Sequence, residues 1–316
     1  MERKMKAAYY EAFGEIEVLK IGELPLPAVK EGEVLVKIKA AAVNPVDMAV
    51  QRGMLNSFLP ATFPVVPGWD VAGIVEDRGY AARRFNIGDE VYAYARRPFV
   101  QWGTFAEYMV IPESYLALRP KTLSWEETAG IPLVGLTAYQ SLYVAGNLQP
   151  GQTVLILGAS GGIGTLGIQL AKAKGATVIG VASAKNHAYM KEMGADHTID
   201  YHNTHIGEAT RQIAGQGVDL FYDAASGETL QQGLMALKEG GTVVSILNRG
   251  ENIDKSINFH YVFVEPHAAQ LDDLRTLADG GKIKVPISEI FPLDKAADAL
   301  RQIATHHTRG KIVIVP

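Results

Sequence analysis

Residues 155 to 169 read LILGASGGIGTLGIQ. An apolar run gives way to small residues and then to apolar positions at helical spacing, the pattern of a strand, a tight turn and a helix. A strand ending at Gly158 and a helix starting near Gly162 leave free backbone N–H groups and the positive helix end at the carboxyl edge of a sheet. An anion belongs there. In the usual Gly-x-Gly-x-x-Gly spacing the three positions fall on Ala159, Gly161 and Gly164. This is a variant of the dinucleotide fingerprint, in which Gly161 admits a pyrophosphate and Gly164 lets the helix pack close to the strand. The candidate cofactor turn is therefore Ala159, Ser160, Gly161, Gly162, Ile163 and Gly164. A ligand-free turn is the plain alternative for an isolated glycine motif. The strand before, the helix after and the next strand at the right distance argue against it.

The type of dinucleotide is written at the end of that next strand, where a carboxylate would accept from a ribose 2′-hydroxyl. Here the chain reads VASAK. Ser183 takes the place of the acid and Lys185 follows two residues on, so a 2′-phosphate meets a donor and a cation and no repelling charge. NADPH is expected over NADH, by tenfold or more if one charge-assisted contact contributes about 1.5 to 3 kcal/mol. The plain alternative for Lys185 is a solvated surface lysine.

The elements that must position these residues follow from hydrophobic patterning. Short alternating runs in the first 120 residues, VLVKIKAAAV (34 to 43), VAGIVE (71 to 76) and EVYAYA (90 to 95), separated by Pro and Gly, predict β-rich, barrel-like organisation. From about residue 130 strands and helices alternate. TVLILG (153 to 158), ATVIGVA (176 to 182), HTI (197 to 199), VDLFYD (218 to 223) and TVVSIL (242 to 247) read as strands, with helices near 162 to 174 and 184 to 193. That alternation predicts a parallel sheet covered on both faces. FHYVFVEP (259 to 266) reads as a last strand, followed by helices near 267 to 279 and 294 to 304 and a closing strand KIVIV.

Composition excludes several functions. The chain has 316 residues, is 47% hydrophobic and carries a formal net charge of -4 with no basic run, which suits two packed domains and gives no footprint for nucleic acid or an anionic membrane. It contains no Cys, which removes disulfides, thiol nucleophiles and thiolate metal sites and fits a reducing compartment. The start, MERKMKAAYYEAFGE, lacks the apolar core of a signal peptide, and no stretch reaches the roughly 18 apolar residues of a spanning helix. A cytoplasmic enzyme acting on a small molecule is expected, with no nucleic-acid or membrane partner.

The order and spacing of AAVNPVD (41 to 47), VPGWDVAGIVE (66 to 76), GDEVYA (88 to 93), GIPLVGLTAY (130 to 139), GASGGIG (158 to 164), YDAASG (222 to 227) and RGKIVI (309 to 314) resemble the medium-chain dehydrogenase/reductase superfamily. Within it they resemble the zinc-free NADPH:quinone oxidoreductase branch, the zeta-crystallin-like proteins. The resemblance implies an α/β fold: a GroES-like β-rich catalytic domain over 1–130, completed by 266–316, and a Rossmann doubly wound parallel-sheet cofactor domain over 131–265. It implies zinc-independent hydride transfer from NADPH to a quinone. A double-bond reductase acting on 2-alkenals or enones, and a non-catalytic NADPH-binding protein, are the alternatives. It also implies a homodimer paired through FHYVFVEP, an edge that would otherwise expose unpaired backbone groups.

The same resemblance sets the catalytic zinc ligands of the alcohol dehydrogenase branch at Asn44, Trp69 and about Leu133, none of which replaces thiolate or imidazole. It puts Asn44 and Asp47 on the substrate side of the nicotinamide and Thr137 under the cofactor. Ser245 and Leu247, within 245 to 248, border the ring with Phe263 and Val264, and Tyr201 matches a residue that contacts the adenosine phosphate. Asn44 is the candidate for polarising the acceptor oxygen, with a turn-capping Asn before Pro as its plain alternative. Asp47 is a second catalytic candidate, or else a helix cap. Trp69 reads as core or pocket wall, and His306 and His307 as an exposed helix end. By the same resemblance several relatives carry Tyr or Lys where this chain has Ala49, and enoyl-thioester reductases a Tyr near the position of Leu55, so no dedicated proton-donating Tyr is expected.

Overall fold

The computed structural model describes residues 3–305 and 308–316; His306 and His307 lie outside the described residues. The chain divides into two compact units, one of residues 1–133, 266–279 and 285–316, the other of residues 134–265 and 280–284.

In the first unit a seven-stranded sheet runs Ile287–Pro292, Lys311–Val315, Glu33–Val43, Asp70–Arg78, Glu90–Tyr94 and Ala117–Leu118, with Tyr108–Pro112 also pairing Glu33–Val43. The long Glu33–Val43 strand is buried along most of its length, as its near-continuous apolar sequence requires, and packs into a core with Val71, Val75, Phe105, Leu300, Ile312 and Ile314. Its register matters for the chemistry. Ile312 pairs antiparallel with Val43, which brings the preceding Lys311 beside Asn44. Asp70 pairs with Ala42 on the other flank. Lys311 and Asp70, the residues that open their two strands, are thereby delivered to the same place.

The second unit is built on a six-stranded parallel sheet. We number its strands β1 (Thr153–Leu157), β2 (Thr177–Ala182), β3 (His197–Asp200), β4 (Val218–Asp223), β5 (Leu237–Ser245) and β6 (Asn258–Tyr261). Their spatial order is β3-β2-β1-β4-β5-β6, the doubly wound order expected of a dinucleotide fold. Its core gathers Leu155, Leu157, Ile179, Val181, Phe221 and Val243 from the central strands.

Three differences from the sequence reading have physical causes. The last strand is shorter than FHYVFVEP: β6 ends at Tyr261, Val262 N–H makes a closing bond to Ser245 O at 2.9 Å, and the Glu265 backbone is captured by the Gln140 side chain at 2.8 and 3.0 Å. The unit boundary falls after Leu133, whose N–H is held by the Asp70 carboxylate at 2.7 Å. Residues 280–284 join the second unit, where Gln169 bonds the Lys284 N–H and carbonyl at 2.7 and 2.9 Å.

Candidate active site and cofactor turn

The turn after β1 has the geometry its glycines predict. Gly158 adopts φ +68°, and Ala159 N–H donates to Val181 O on β2 at 3.1 Å. The helix Gly162–Ala173 follows; its first backbone bond runs from Thr165 N–H to Gly161 O at 2.8 Å. The N–H groups of Gly162, Ile163 and Gly164 therefore precede the helical ladder and, with no partner among the described residues, can bind an anion. A Cβ on Gly164 would lie 2.3 Å from Gly158 O and 2.5 Å from Ala159 Cα, so this glycine is required for packing. A Cβ on Gly161 would meet only Gly158 O, at 3.5 Å, so the fold itself leaves that side open. Space over Gly161 beside free N–H groups fits a pyrophosphate.

At the end of β2 the side chains form a small polar arrangement that the sequence reading half saw. Asn186, buried at 9% exposure, donates from Nδ2 to Ser160 Oγ at 3.0 Å and to Ser183 Oγ at 3.2 Å. Lys185 is exposed in the same 3-10 turn, Ala184–Asn186. Tyr201 is half-exposed, its ring 4.1 Å from that of His202. Asp200, at the end of β3, keeps its carboxylate on Asn203 Nδ2 at 2.7 Å and on the His202 N–H. At the ends of β4 and β5, Ser245 Oγ donates to the buried Asp223 carboxylate at 2.6 Å and accepts the N–H groups of Leu247 and Asn248 at 3.2 and 2.9 Å. Asp223 also holds the Ser226 N–H at 2.7 Å, so one carboxylate shapes two loops at the carboxyl edge of the sheet. Leu247 is exposed, Val264 is buried beyond β6 with Phe263 partly buried beside it, and Thr137 is buried in the helix Pro132–Tyr139.

The first unit holds a buried polar cluster. Asn44 is the N-cap of the helix Pro45–Gln51, and Asp47, in its first turn, accepts the Asn44 N–H at 2.8 Å. Asp47 thus caps the helix. The Asn44 amide is engaged at both ends: Oδ1 accepts from Lys311 Nζ at 2.5 Å, while Nδ2 donates to Asp70 Oδ2 at 2.9 Å and, at a longer 3.4 Å, to Ala42 O. Lys311 also donates to Val43 O at 3.2 Å and lies 3.5 Å from Asp70. Asn44, Asp47, Asp70 and Lys311 are exposed by only 1%, 2%, 0% and 4%.

Burial dominates the ionisation of this cluster. It pushes the Asp47 carboxyl up to about 7, against the Asn44 N–H bond and with help from the Asp70 charge. It raises Asp70 despite the Lys311 ammonium, the Asn44 amide and the Leu133 N–H, and it lowers Lys311 despite both carboxylates. Nearby, the Tyr10 phenol is raised by burial and then by the Asp47 charge, and its hydroxyl has no hydrogen-bond partner among the described residues. Trp69, read from the sequence as core or pocket wall, is buried edge-on to Tyr94, ring centroids 6.0 Å apart. The sequence reading missed Asp70, Lys311 and Asn186. For Asp70 and Lys311 the available signal was a charge directly before an apolar run, in DVAGIV and KIVIV.

A doubly wound sheet with a dinucleotide turn, joined to a β-rich unit with a buried polar cluster, defines an NAD(P)-dependent oxidoreductase. Residues 30–121 match the family described as "Alcohol dehydrogenase GroES-like domain", and residues 193–314 match that described as "Zinc-binding dehydrogenase". The chain is 34% identical to the "NADPH-dependent alkenal/one oxidoreductase, chloroplastic" of Arabidopsis thaliana, over 99% of this chain and 80% of that one. It is 33% identical to the "Chloroplast envelope quinone oxidoreductase homolog" of the same plant, over 99% and 98%. The solved quinone oxidoreductase from Coxiella burnetii superposes with a TM-score of 0.88 at 32% identity, covering 99% of this chain and 100% of the other. The chain belongs to the medium-chain dehydrogenase/reductase superfamily. Among the described residues no helix is long and apolar enough to cross a membrane.

Proposed function

We propose that the chain transfers hydride from NADPH to a quinone without a metal ion. The observation that carries this reading is the fate of the Asn44 and Leu133 positions, where the resemblance sets zinc ligands. Asn44 Oδ1 is taken by an ammonium and the Leu133 N–H by a carboxylate. An amide already bonded to Lys311, an indole and an aliphatic side chain supply no thiolate or imidazole for zinc. Without a Lewis acid, an isolated alkoxide goes unstabilised and simple alcohols and aldehydes are poor substrates. A quinone carries the charge arriving with hydride on a conjugated oxygen, which hydrogen bonding and water can complete.

Bound NADPH supplies a hydride at its nicotinamide ring. The chain's own part is to seat the pyrophosphate on the N–H groups of Gly162, Ile163 and Gly164 and the 2′-phosphate on Ser183, Lys185 and Tyr201. Asn44 and Asp47 are the acceptor-side candidates. Because Asn44 Nδ2 gives one hydrogen to Asp70 and the other makes only the 3.4 Å contact to Ala42, that second hydrogen is the one an acceptor oxygen would take.

Reduction of 2-alkenals or enones is the second reading, favoured by the name of the Arabidopsis alkenal/one oxidoreductase. The reading also includes a homodimer paired through the edge strand β6, checked by light scattering, and a cytoplasmic location, which the lack of Cys fits. The deciding assay follows NADPH oxidation side by side with quinones, 2-alkenals and aliphatic aldehydes. Quinones should lead. Alkenals leading by an order of magnitude would make the protein a double-bond reductase, aliphatic substrates leading would end the reading, and NADPH bound with no turnover would make it a binding protein.

A further inference from the structure

We infer that Asn186 is a specificity-determining positioning residue, one that touches no cofactor and sets the preference for NADPH by aiming two serine hydroxyls; this rests on the NADPH reading of the turn. The two hydrogens on its Nδ2 go to Ser160 Oγ, in the turn after β1, and to Ser183 Oγ, at the end of β2. An amide NH2 only donates, so each hydroxyl is held as an acceptor and its own O–H hydrogen is left to point elsewhere. Both serines are partly exposed while Asn186 is buried, so the hydroxyls present those hydrogens to the site from behind a fixed amide. A phosphate oxygen only accepts. The arrangement therefore occupies an acceptor site on each hydroxyl and leaves both hydrogens for a phosphate oxygen, one hydroxyl in each of the two segments read as binding phosphate.

The backbone of the 3-10 turn enforces this. Asn186 N–H donates to Ser183 O at 2.8 Å, which fixes the Asn186 backbone, from which the amide projects, within Ala184–Asn186, the segment that also carries Lys185. Ser183, Lys185 and Asn186 thus act as one unit, in which the visible cation is backed by a buried amide that fixes hydroxyl polarity.

Substituting the amide by its isostere reverses the polarity. In Asn186→Asp the carboxylate would accept from both serines, consume their hydrogens and add a negative charge behind the phosphate site. Asn186→Leu would leave the hydroxyls free to rotate. The experiment titrates the purified full chain with NADPH and with NADH, by cofactor fluorescence, and takes melting temperatures without ligand. The parent should favour NADPH. In Asn186→Asp the NADPH/NADH affinity ratio should fall about tenfold or more, the size expected of one lost charged contact, with a smaller fall in Asn186→Leu. Should Asn186→Asp fail to fold, the Asn186→Leu and Ser183→Ala ratios decide, because both should fall. A merely structural role would weaken the two cofactors equally and leave the ratio unchanged, and that result overturns the inference. A parent with equal affinities would instead overturn the NADPH reading itself, whatever the variants do.

Discussion

Lys311 Nζ donates to Asn44 Oδ1 at 2.5 Å across a buried strand pairing. An ammonium only donates, so the amide oxygen must face it and the amide nitrogen must face Asp70. Removing the cation alone strands a buried carboxylate. Lys311→Met should cost on the order of 3 to 5 kcal/mol of stability, and Lys311→Met combined with Asp70→Asn should recover most of that. Urea unfolding of parent, single and double variants measures both. A single variant as stable as the parent would show that the pair is not a closed ion pair.

Asp47 gives the fold a pH dependence of predictable sign. Its carboxyl is raised from 3.8 to about 7, chiefly by burial, so between those values the folded chain holds a proton that the unfolded chain has released. Stability contributed at this site is therefore full at low pH, falls as pH rises through that window and levels off above it. Asp70 acts in the same sense, being raised; Lys311, lowered, makes stability rise with pH toward its unfolded value of 10.5. Asp47→Asn retains an acceptor for the Asn44 N–H but cannot ionise. Relative to the parent it should gain stability between pH 4 and 7, on the order of a few kcal/mol by pH 8. Melts of the two proteins across pH 4 to 8 should diverge; parallel curves would place the Asp47 ionisation outside that range.

The two glycines of the cofactor turn should separate folding from binding. Gly164→Ala puts a methyl group 2.3 Å from a backbone carbonyl oxygen, so the helix must shift, at about 1 to 3 kcal/mol. Gly161→Ala meets nothing closer than 3.5 Å and should melt as the parent does, yet lose dinucleotide affinity because its methyl fills the space over the free N–H groups. Thermal melts and cofactor titration on both variants test this. Equal effects on melting would contradict it.

Much of this architecture is legible in the sequence because it is local. The turn after β1 is written in consecutive residues, and each strand of the parallel sheet is a short apolar run. The cluster around Asn44 is a different case. Its partners Asp70 and Lys311 are 26 and 267 residues away, and only the register of three antiparallel strands brings them together. Asn186 likewise reads locally as a helix-start residue, while its bond to Ser160 depends on β1 lying beside β2. FHYVFVEP reads as strand throughout because apolar patterning cannot show that Gln140, far earlier in the chain, captures the Glu265 backbone.

One stretch of the chain matches a family described as zinc-binding, but affinity for zinc depends on donors, and the positions that would supply them hold Asn44, Trp69 and Leu133. The Lys311 ammonium already sits against Asn44 Oδ1, so a dication entering there would have to displace a positive charge in a buried, weakly screened setting. No group of three His, Cys, Asp or Glu among the described residues is arranged to take a metal elsewhere. Purified protein should therefore carry far less than one zinc per chain by elemental analysis, and prolonged chelator treatment should leave quinone-dependent NADPH oxidation unchanged. Zinc at one per chain, removed together with activity and restored with it, would overturn the metal-free reading and make hydride transfer to simple carbonyls feasible again.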